Sequence, residues 1–367
     1  MEFALSEEQV LLKDNVDRLL AEQAPLERIR SYADGSEPGI AHMLWHQLCD
    51  LGIGLLLIPE AADGLGLTVL DAALVAESLG SAVAPAPVLG SGIVAPYLLA
   101  EVPDAGDALA ALAAGELRVG LALSELAGAR EDSGVVAHNG KLNGRSLHVL
   151  DFDEQSAYLV ADGKRQLYLV DPQAAGLSGR SLTTIDRTRA TGELSFSDTP
   201  ARLLTTDPDL CARTLALARI ALAADSLGAA STMLSAAVEY AKQREQFNRP
   251  IASFQAVKHM CAEMAAALEP CRAMVWYAAH KLDEREADAV MMACHTKAHI
   301  ADVGKRLAKT ATEVHGGMGF TDLLGLHYWF KRIGFNRQTL GTPAQLRREA
   351  AIAQGFIDNT AQNSATA

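Results

Sequence analysis

The chain has 367 residues, 49% of them hydrophobic and 21% charged, which is ample for a buried core and argues against disorder. At about 150 residues per domain, the length suggests two or three domains or one large one. Its 45 acidic residues against 32 Lys and Arg leave a formal charge of −13 with no basic tail, so a non-specific nucleic-acid binder, which needs a cationic face, fits poorly.

The N-terminus, Met1-Glu2-Phe3-Ala4, has no basic region followed by an apolar run, so no signal peptide is read there. Ser6 with Gln9 three residues later makes a capping box, and Leu12, Val16, Leu19 and Leu20 then fall on one helical face. A second helix runs through 43–48 and ends near Gly52. A turn-rich stretch at Ala62-Asp63-Gly64-Leu65-Gly66 precedes another helix from Val69 to about Leu79. The uncharged stretch 78–100 carries Pro85, Pro87 and Pro96 and reads poorly as a membrane span. Residues 108–114 are Ala-rich and helical, closed by Gly115.

From about Leu117 the texture changes. Short apolar runs at 119–123, 135–136, 147–150, 158–160, 167–170 and 194–196 are punctuated by turns such as Asn139-Gly140 and Asp162-Gly163, as in a small β domain with hairpins. Helix then returns in long pieces: 210–246, about ten turns; 253–280, with Pro270 as a kink; and 287–314, stopped by Gly316-Gly317. A shorter helix begins near Pro343. The division is an N-terminal helical domain (1–116), a middle β domain (117–205) and a C-terminal helical bundle (206–367). Cys49, Cys211, Cys261, Cys271 and Cys294 are scattered without a C-x-x-C pair, the pattern of reduced cytosolic thiols. A cytoplasmic protein is expected.

Two clusters stand out chemically. Arg244-Glu245-Gln246-Phe247-Asn248-Arg249, followed by Phe254-Gln255, sets a guanidinium at the end of a long helix, where it can hold an anion or simply complement the helix dipole. Glu313-Val314-His315-Gly316-Gly317-Met318-Gly319-Phe320 sets consecutive glycines after a helix. They admit a ligand close to the backbone, or merely end the helix.

With Leu5-Ser6-Glu7-Glu8-Gln9, Ile58-Pro59-Glu60, Gly64-Leu65-Gly66, Glu77-Ser78-Leu79-Gly80 and Asn139-Gly140-Lys141-Leu142-Asn143-Gly144, these clusters make the chain resemble the acyl-CoA dehydrogenase family over nearly its whole length. The resemblance implies a mostly α fold with a central β-barrel or sandwich and a C-terminal four-helix bundle. It also implies FAD, a tetramer, and α,β-desaturation of a CoA thioester. That reaction needs a carboxylate base in a dry cleft, which raises its pKa toward neutrality. The family keeps its Glu in one of two places, and here Leu340 and Ala218 occupy them, so neither can accept a proton.

The family's flavin-ring run appears only as Ser124-Glu125-Leu126-Ala127-Gly128-Ala129-Arg130, and its aromatic-Ile-hydroxyl triplet aligns with His148-Val149-Leu150. Glu313 stands for a Gln, and Lys331-Arg332 for an Arg-Asp. By contrast Arg244, Phe247, Gln255, Gly316 and Gly317 are kept. By the resemblance these, with the Glu313 position, face the adenine and pyrophosphate end of a neighbouring subunit's FAD.

The reading that follows is a non-catalytic subunit pairing with a homologous catalytic chain. It is similar to the α2β2 heterotetrameric acyl-CoA dehydrogenases of actinobacteria that serve β-oxidation of steroid side chains. Two alternatives stay open. One is a self-sufficient homotetramer whose base is displaced to Asp225, seven residues and about 10 Å along the helix from Ala218. The other is a flavin-free scaffold. Arg219 either contacts the thioester ligand or makes a helix–helix ion pair. His315 belongs to the turn, and Cys294-His295 lacks zinc spacing. Lys331, Arg332, Arg337, Arg347 and Arg348 are expected as a local basic patch.

Overall fold

Two reciprocal hydrogen bonds start the first helix: Ser6 Oγ accepts the Gln9 N–H at 3.2 Å, and Gln9 Oε1 accepts the Ser6 N–H at 3.1 Å. From there α1 spans Glu7–Gln23. This computed structural model describes residues 4–128, 134–152 and 155–357. Met1, Glu2, Phe3, Ala129 and Arg130, all named above, lie outside them.

Helices α2 (Leu26–Asp34) and α3 (Ile40–Asp50) follow, α3 burying Ile40, Leu44, Trp45 and Leu48 on one stripe. Helix α4 (Val69–Ser81) is set by a second capping box, Thr68 with Asp71, and is buried over most of its length. A π-helical turn at Leu89–Val94 leads into α5 (Ala95–Leu99), and α6 (Gly106–Ala113) closes this region. The proline-bearing stretch is therefore helical in part, with Pro96 standing just past the π-helical turn, where the wider turn accommodates its ring.

The middle region supplies β1 (Val119–Ala122), β2 (Gly134–His138), β3 (Lys141–Leu150), β4 (Ala157–Ala161), β5 (Leu167–Val170), β6 (Leu177–Ser181), β7 (Thr191–Pro200) and β8 (Arg202–Thr205). They form one mixed sheet in the order β6-β7-β3-β1-β4-β5-β8, with β2 paired to β3 and only β1–β4 parallel among these pairings. Asn139 (φ 49°) and Gly140 (φ 73°) turn the β2–β3 hairpin with positive φ at both positions, the geometry that such a two-residue turn demands. Strands β6 and β8 carry mostly exposed side chains, so no apolar run announces them.

Helix α7 (Pro208–Gln243) packs against α4, α8 (Gln255–Asp283) and α9 (Ala289–His315), with α10 (Leu326–Gln338) and α11 (Pro343–Ala353) laid on α9. Glycines allow α4 and α7 to touch. A Cβ on Gly80 would stand 1.9 Å from the Asp225 carbonyl oxygen, and one on Gly228 would stand 1.9 Å from that of Glu77. Helix α8 runs unbroken through Pro270. Helix α7 ends at Gln243 and not near 246, because β9 (Glu245–Gln246) and β10 (Arg249–Pro250) pair as a small hairpin. By length and composition α7 passes as a membrane span, yet 72% of its most apolar window is buried in the protein, the setting of a core helix.

Candidate functional site

The first candidate region is a cleft of about 300 Å³ between the sheet and α10, lined by Ser124, His148, Ile185, Phe335, Gln338 and Leu340 among others. A register shift between Ser146 and Val149 in β3 leaves His148 off the ladder at φ 53°, so its side chain is exposed at the cleft while Val149 and Leu150 stay in the core. Ser124 Oγ and Ser146 Oγ lie 3.1 Å apart beside it. No Asp or Glu is among the described lining residues.

Leu340 meets the cleft from a left-handed backbone (φ 54°), followed by Gly341 at φ 118°. Two buried basic side chains clamp this turn. Arg219 Nε donates to the Leu340 carbonyl at 2.9 Å, and Lys297 Nζ donates to that of Gly341 at 2.9 Å. Arg219 is itself held by Glu349 through two hydrogen bonds of 2.6 and 3.0 Å, with Cys294 Sγ at 3.2 Å. Of the two roles left open for Arg219, the geometry displays the interhelical ion pair. Burial, then the neighbouring Arg219 charge, push Lys297 down to about 7. Sequence reading passed over Lys297 and Glu349. The available signal was a lysine inside the buried Ala293, Cys294, Ala298, Ala301 stripe of α9.

Ala218 is fully buried on α7. Asp225, two turns on, has both oxygens engaged. Oδ1 accepts Asn336 at 2.6 Å, and Oδ2 accepts Arg189 at 2.8 Å and Arg332 at 2.9 Å. Arg332 also donates to Thr188 and to the Ala84 carbonyl, and it lies 2.7 Å from Asp186, close enough to ion-pair though poorly aligned for a hydrogen bond. Asp151 adjoins this network, fully buried, accepting the Gly90 N–H at 2.8 Å. Burial pushes its carboxyl up while Arg189 and Arg332 pull it down.

The expected basic patch is corrected by these contacts. Arg332 points inward with Asn336 one turn later, and Arg337 and Arg347 both reach Asp302 on α9, at 3.3 and 2.5 Å. The helical period of α10 turns its arginines to different faces, and only Lys331 and Arg348 of the five stay outside such pairs among the described residues.

The second candidate region is at the other extreme of exposure. Arg244, Phe247, Gln255, Glu313, Gly316 and Gly317 are all exposed. Stacking of Tyr240 on His315, with ring centroids 4.6 Å apart, brings the end of α7 against the end of α9, and so the Arg244 hairpin toward the glycine turn. His315 Nδ1 lies 2.7 Å from the Ala311 carbonyl and is buried, a structural role. Phe247 (φ 54°) and Asn248 (φ 60°) form the hairpin tip, with Phe247 86% exposed and Arg249 stacked 4.1 Å over Phe254. A Cβ at Gly316 or Gly317 would meet no atom within 4 Å, so the backbone there is open to a ligand. Gln255 begins α8, whose first turn has no side-chain cap. Glu313 is 3.7 Å from Lys309.

Comparison with known proteins bears on both regions. Residues 6–105 match the model of the acyl-CoA dehydrogenase N-terminal domain, and 209–354 that of the C-terminal domain. The acyl-CoA dehydrogenase IpdE2 of Mycobacterium tuberculosis is 31% identical over 346 residues, 93% of this chain and 96% of that protein. Among solved structures, a variant of the steroid ACAD Tcur3481-Tcur3483 superposes with a TM-score of 0.87 at 29% identity, covering 95% of this chain and 98% of that one. The ChsE4-ChsE5 complex of Mycobacterium tuberculosis superposes with a TM-score of 0.86 at 25% identity, over 96% and 99%.

Proposed function

The chain belongs to the acyl-CoA dehydrogenase family, whose members depend on FAD, and from that premise we propose that it is the base-lacking subunit of a heterotetramer. The observation that carries the reading is the 300 Å³ cleft without a carboxylate on its described walls, with Leu340 at one base position and buried Ala218 at the other. Abstraction of the proton alpha to a thioester requires a base within hydrogen-bond reach, and hydrocarbon supplies none. The displaced-base alternative is disfavoured because Asp225 is buried with both oxygens engaged by Arg189, Arg332 and Asn336.

FAD, when bound, accepts the two electrons that desaturation removes. The exposed end of this chain fits the adenosine and pyrophosphate part of a cofactor that a partner subunit mainly holds. Arg244 offers a guanidinium with no ion-pair partner among the described residues, and the Gly316-Gly317 backbone leaves space for phosphate oxygens. Phe247 and Gln255 are likewise exposed and free to meet the same ligand, and Lys309 offsets the Glu313 carboxylate. The reading extends to a partner of the same family, supported by the similarity to the steroid ACAD Tcur3481-Tcur3483 and to the ChsE4-ChsE5 complex, and to a bulky acyl thioester of the steroid side-chain class as substrate, supported by the former.

The test is to purify the chain alone and together with a co-expressed homologous acyl-CoA dehydrogenase, then count flavins per subunit and assay thioester desaturation. The lone chain is expected to be inert and the complex yellow and active. Arg244→Ala in this chain should lower the complex's flavin content at least tenfold. Turnover by the lone chain overturns the proposal, and a complex indifferent to Arg244→Ala leaves only a scaffold role.

A further inference from the structure

We propose that a pocket between α1, α2, α4 and α10 binds an uncharged fused-ring molecule carrying one hydrogen-bond-accepting oxygen, such as an aryl ketone. The pocket has a volume of about 310 Å³ and shares no lining residue with the cleft beside Leu340. A cavity of about 150 Å³ already admits benzene, so this space takes two fused rings. Leu20 and Ala24 of α1, Ile29 of α2, Val83 just after α4 and Trp329 of α10 supply apolar walls. The indole is a fixed wall, because its Nε1 donates to the Ser81 carbonyl at 2.7 Å, which Thr232 Oγ1 also meets at 3.0 Å. Val83 is buried at φ 45°, a backbone region that disfavours a β-branched side chain. Strain of this kind collects at ligand-binding walls.

The polar edge decides the ligand's chemistry. Asp17 is the charged residue among the described lining, and Lys13 Nζ neutralises it at 2.7 Å, so a net charge on the ligand gains nothing there. Ser78 lines the same space and is 1% exposed. Its Oγ faces α1, where Lys13 Nζ approaches to 3.4 Å, while its own proton meets no acceptor among the described residues. A buried hydroxyl with an unspent donor calls for an oxygen acceptor. The apolar walls exclude a ligand that brings more polar groups than this one donor can satisfy.

Equilibrium dialysis of the lone full chain against 2-acetylnaphthalene, with naphthalene as the comparator that lacks the oxygen, is the test. The wild type should bind the ketone saturably, and about three- to tenfold more tightly than naphthalene, the factor one hydrogen bond supplies. Ala21→Trp sets an indole in the mouth from an exposed lining position of α1 and should remove one bound ketone per chain. Ser78→Ala should erase the preference for the ketone while naphthalene binding persists. Thermal unfolding without ligand checks that both variants are folded. Absence of saturable binding overturns the proposal, as does an unchanged stoichiometry in Ala21→Trp, which puts the ketone elsewhere. A ketone preference untouched by Ser78→Ala overturns it too. Because the lone chain is used, none of these outcomes depends on a partner subunit or its flavin.

Discussion

The cleft and the exposed end use their charged side chains in opposite ways. Around the cleft, Arg219, Lys297, Arg332 and Asp225 are buried, and each is tied to a named partner in the fold. At the exposed end, Arg244 and the Gly316-Gly317 backbone are left open, and a bulky aromatic is held in a backbone region that disfavours it. A site that performs chemistry needs a titratable group released from structural duty, and the cleft offers only His148 among its described lining side chains. A surface that serves a neighbour needs groups the fold itself does not use. The contrast therefore teaches where each region's residues are committed: inward to stability, outward to recognition.

The strongest way to break that contrast is at Asp225. If it is structural, Asp225→Ala strands Arg189 in the interior, takes one of two carboxylates from Arg332, and should destabilise the chain by about 3–5 kcal/mol, as loss of one member of a buried ion pair does. Urea unfolding of the lone chain measures it. A folded, stable variant whose partner complex had lost turnover would instead mark Asp225 as chemically engaged.

A smaller effect sharpens the same comparison at Lys297. Its ammonium is disfavoured in the fold, with a pKa of about 7. Between there and the unfolded lysine value near 10.4, the unfolded chain holds the extra proton. Stability therefore rises with pH across that window, by at most about 1.4 kcal/mol per pH unit from this group. Below the folded value both states are protonated and the contribution is flat. Lys297→Met should remove the slope, read as the difference between wild-type and variant urea midpoints from pH 7 to 10. An unchanged slope would mean that the lysine is charged in the fold throughout.

Sequence-local devices were the legible part of this molecule. The capping box at Ser6 and Gln9 and the Asn139-Gly140 hairpin depend on residues within a few positions of one another, and they stand where spacing puts them. The Arg244 and Gly316 clusters were visible for the same reason. What spacing could not convey was partnership across the chain. Arg332 meets Asp225 from 107 positions away, and nothing in the run Lys331-Arg332-Ile333 distinguishes a buried arginine from a solvated one. His148 became a cleft residue only through a bulge in β3. The hairpin at 245–250 shortened α7 because pairing across Phe247-Asn248 overrode its helical composition.

That hairpin tip offers the finest test. A phenylalanine in the left-handed region costs about 1–2 kcal/mol relative to an ordinary backbone, and Phe247 recovers little of this through burial, its visible contact being the edge of Phe254 at 6.1 Å. Gly at 247 relieves the strain, and the greater freedom it gives the unfolded chain offsets part of the gain. The lone Phe247→Gly chain should therefore be stabilised by no more than about 1 kcal/mol, while flavin retention in the partner complex falls. A residue kept only for the turn would have no reason to oppose that substitution in the complex. Opposite signs in the lone chain and the complex are thus the signature of a side chain retained for its neighbour, and a matching gain in both would assign Phe247 to the turn alone.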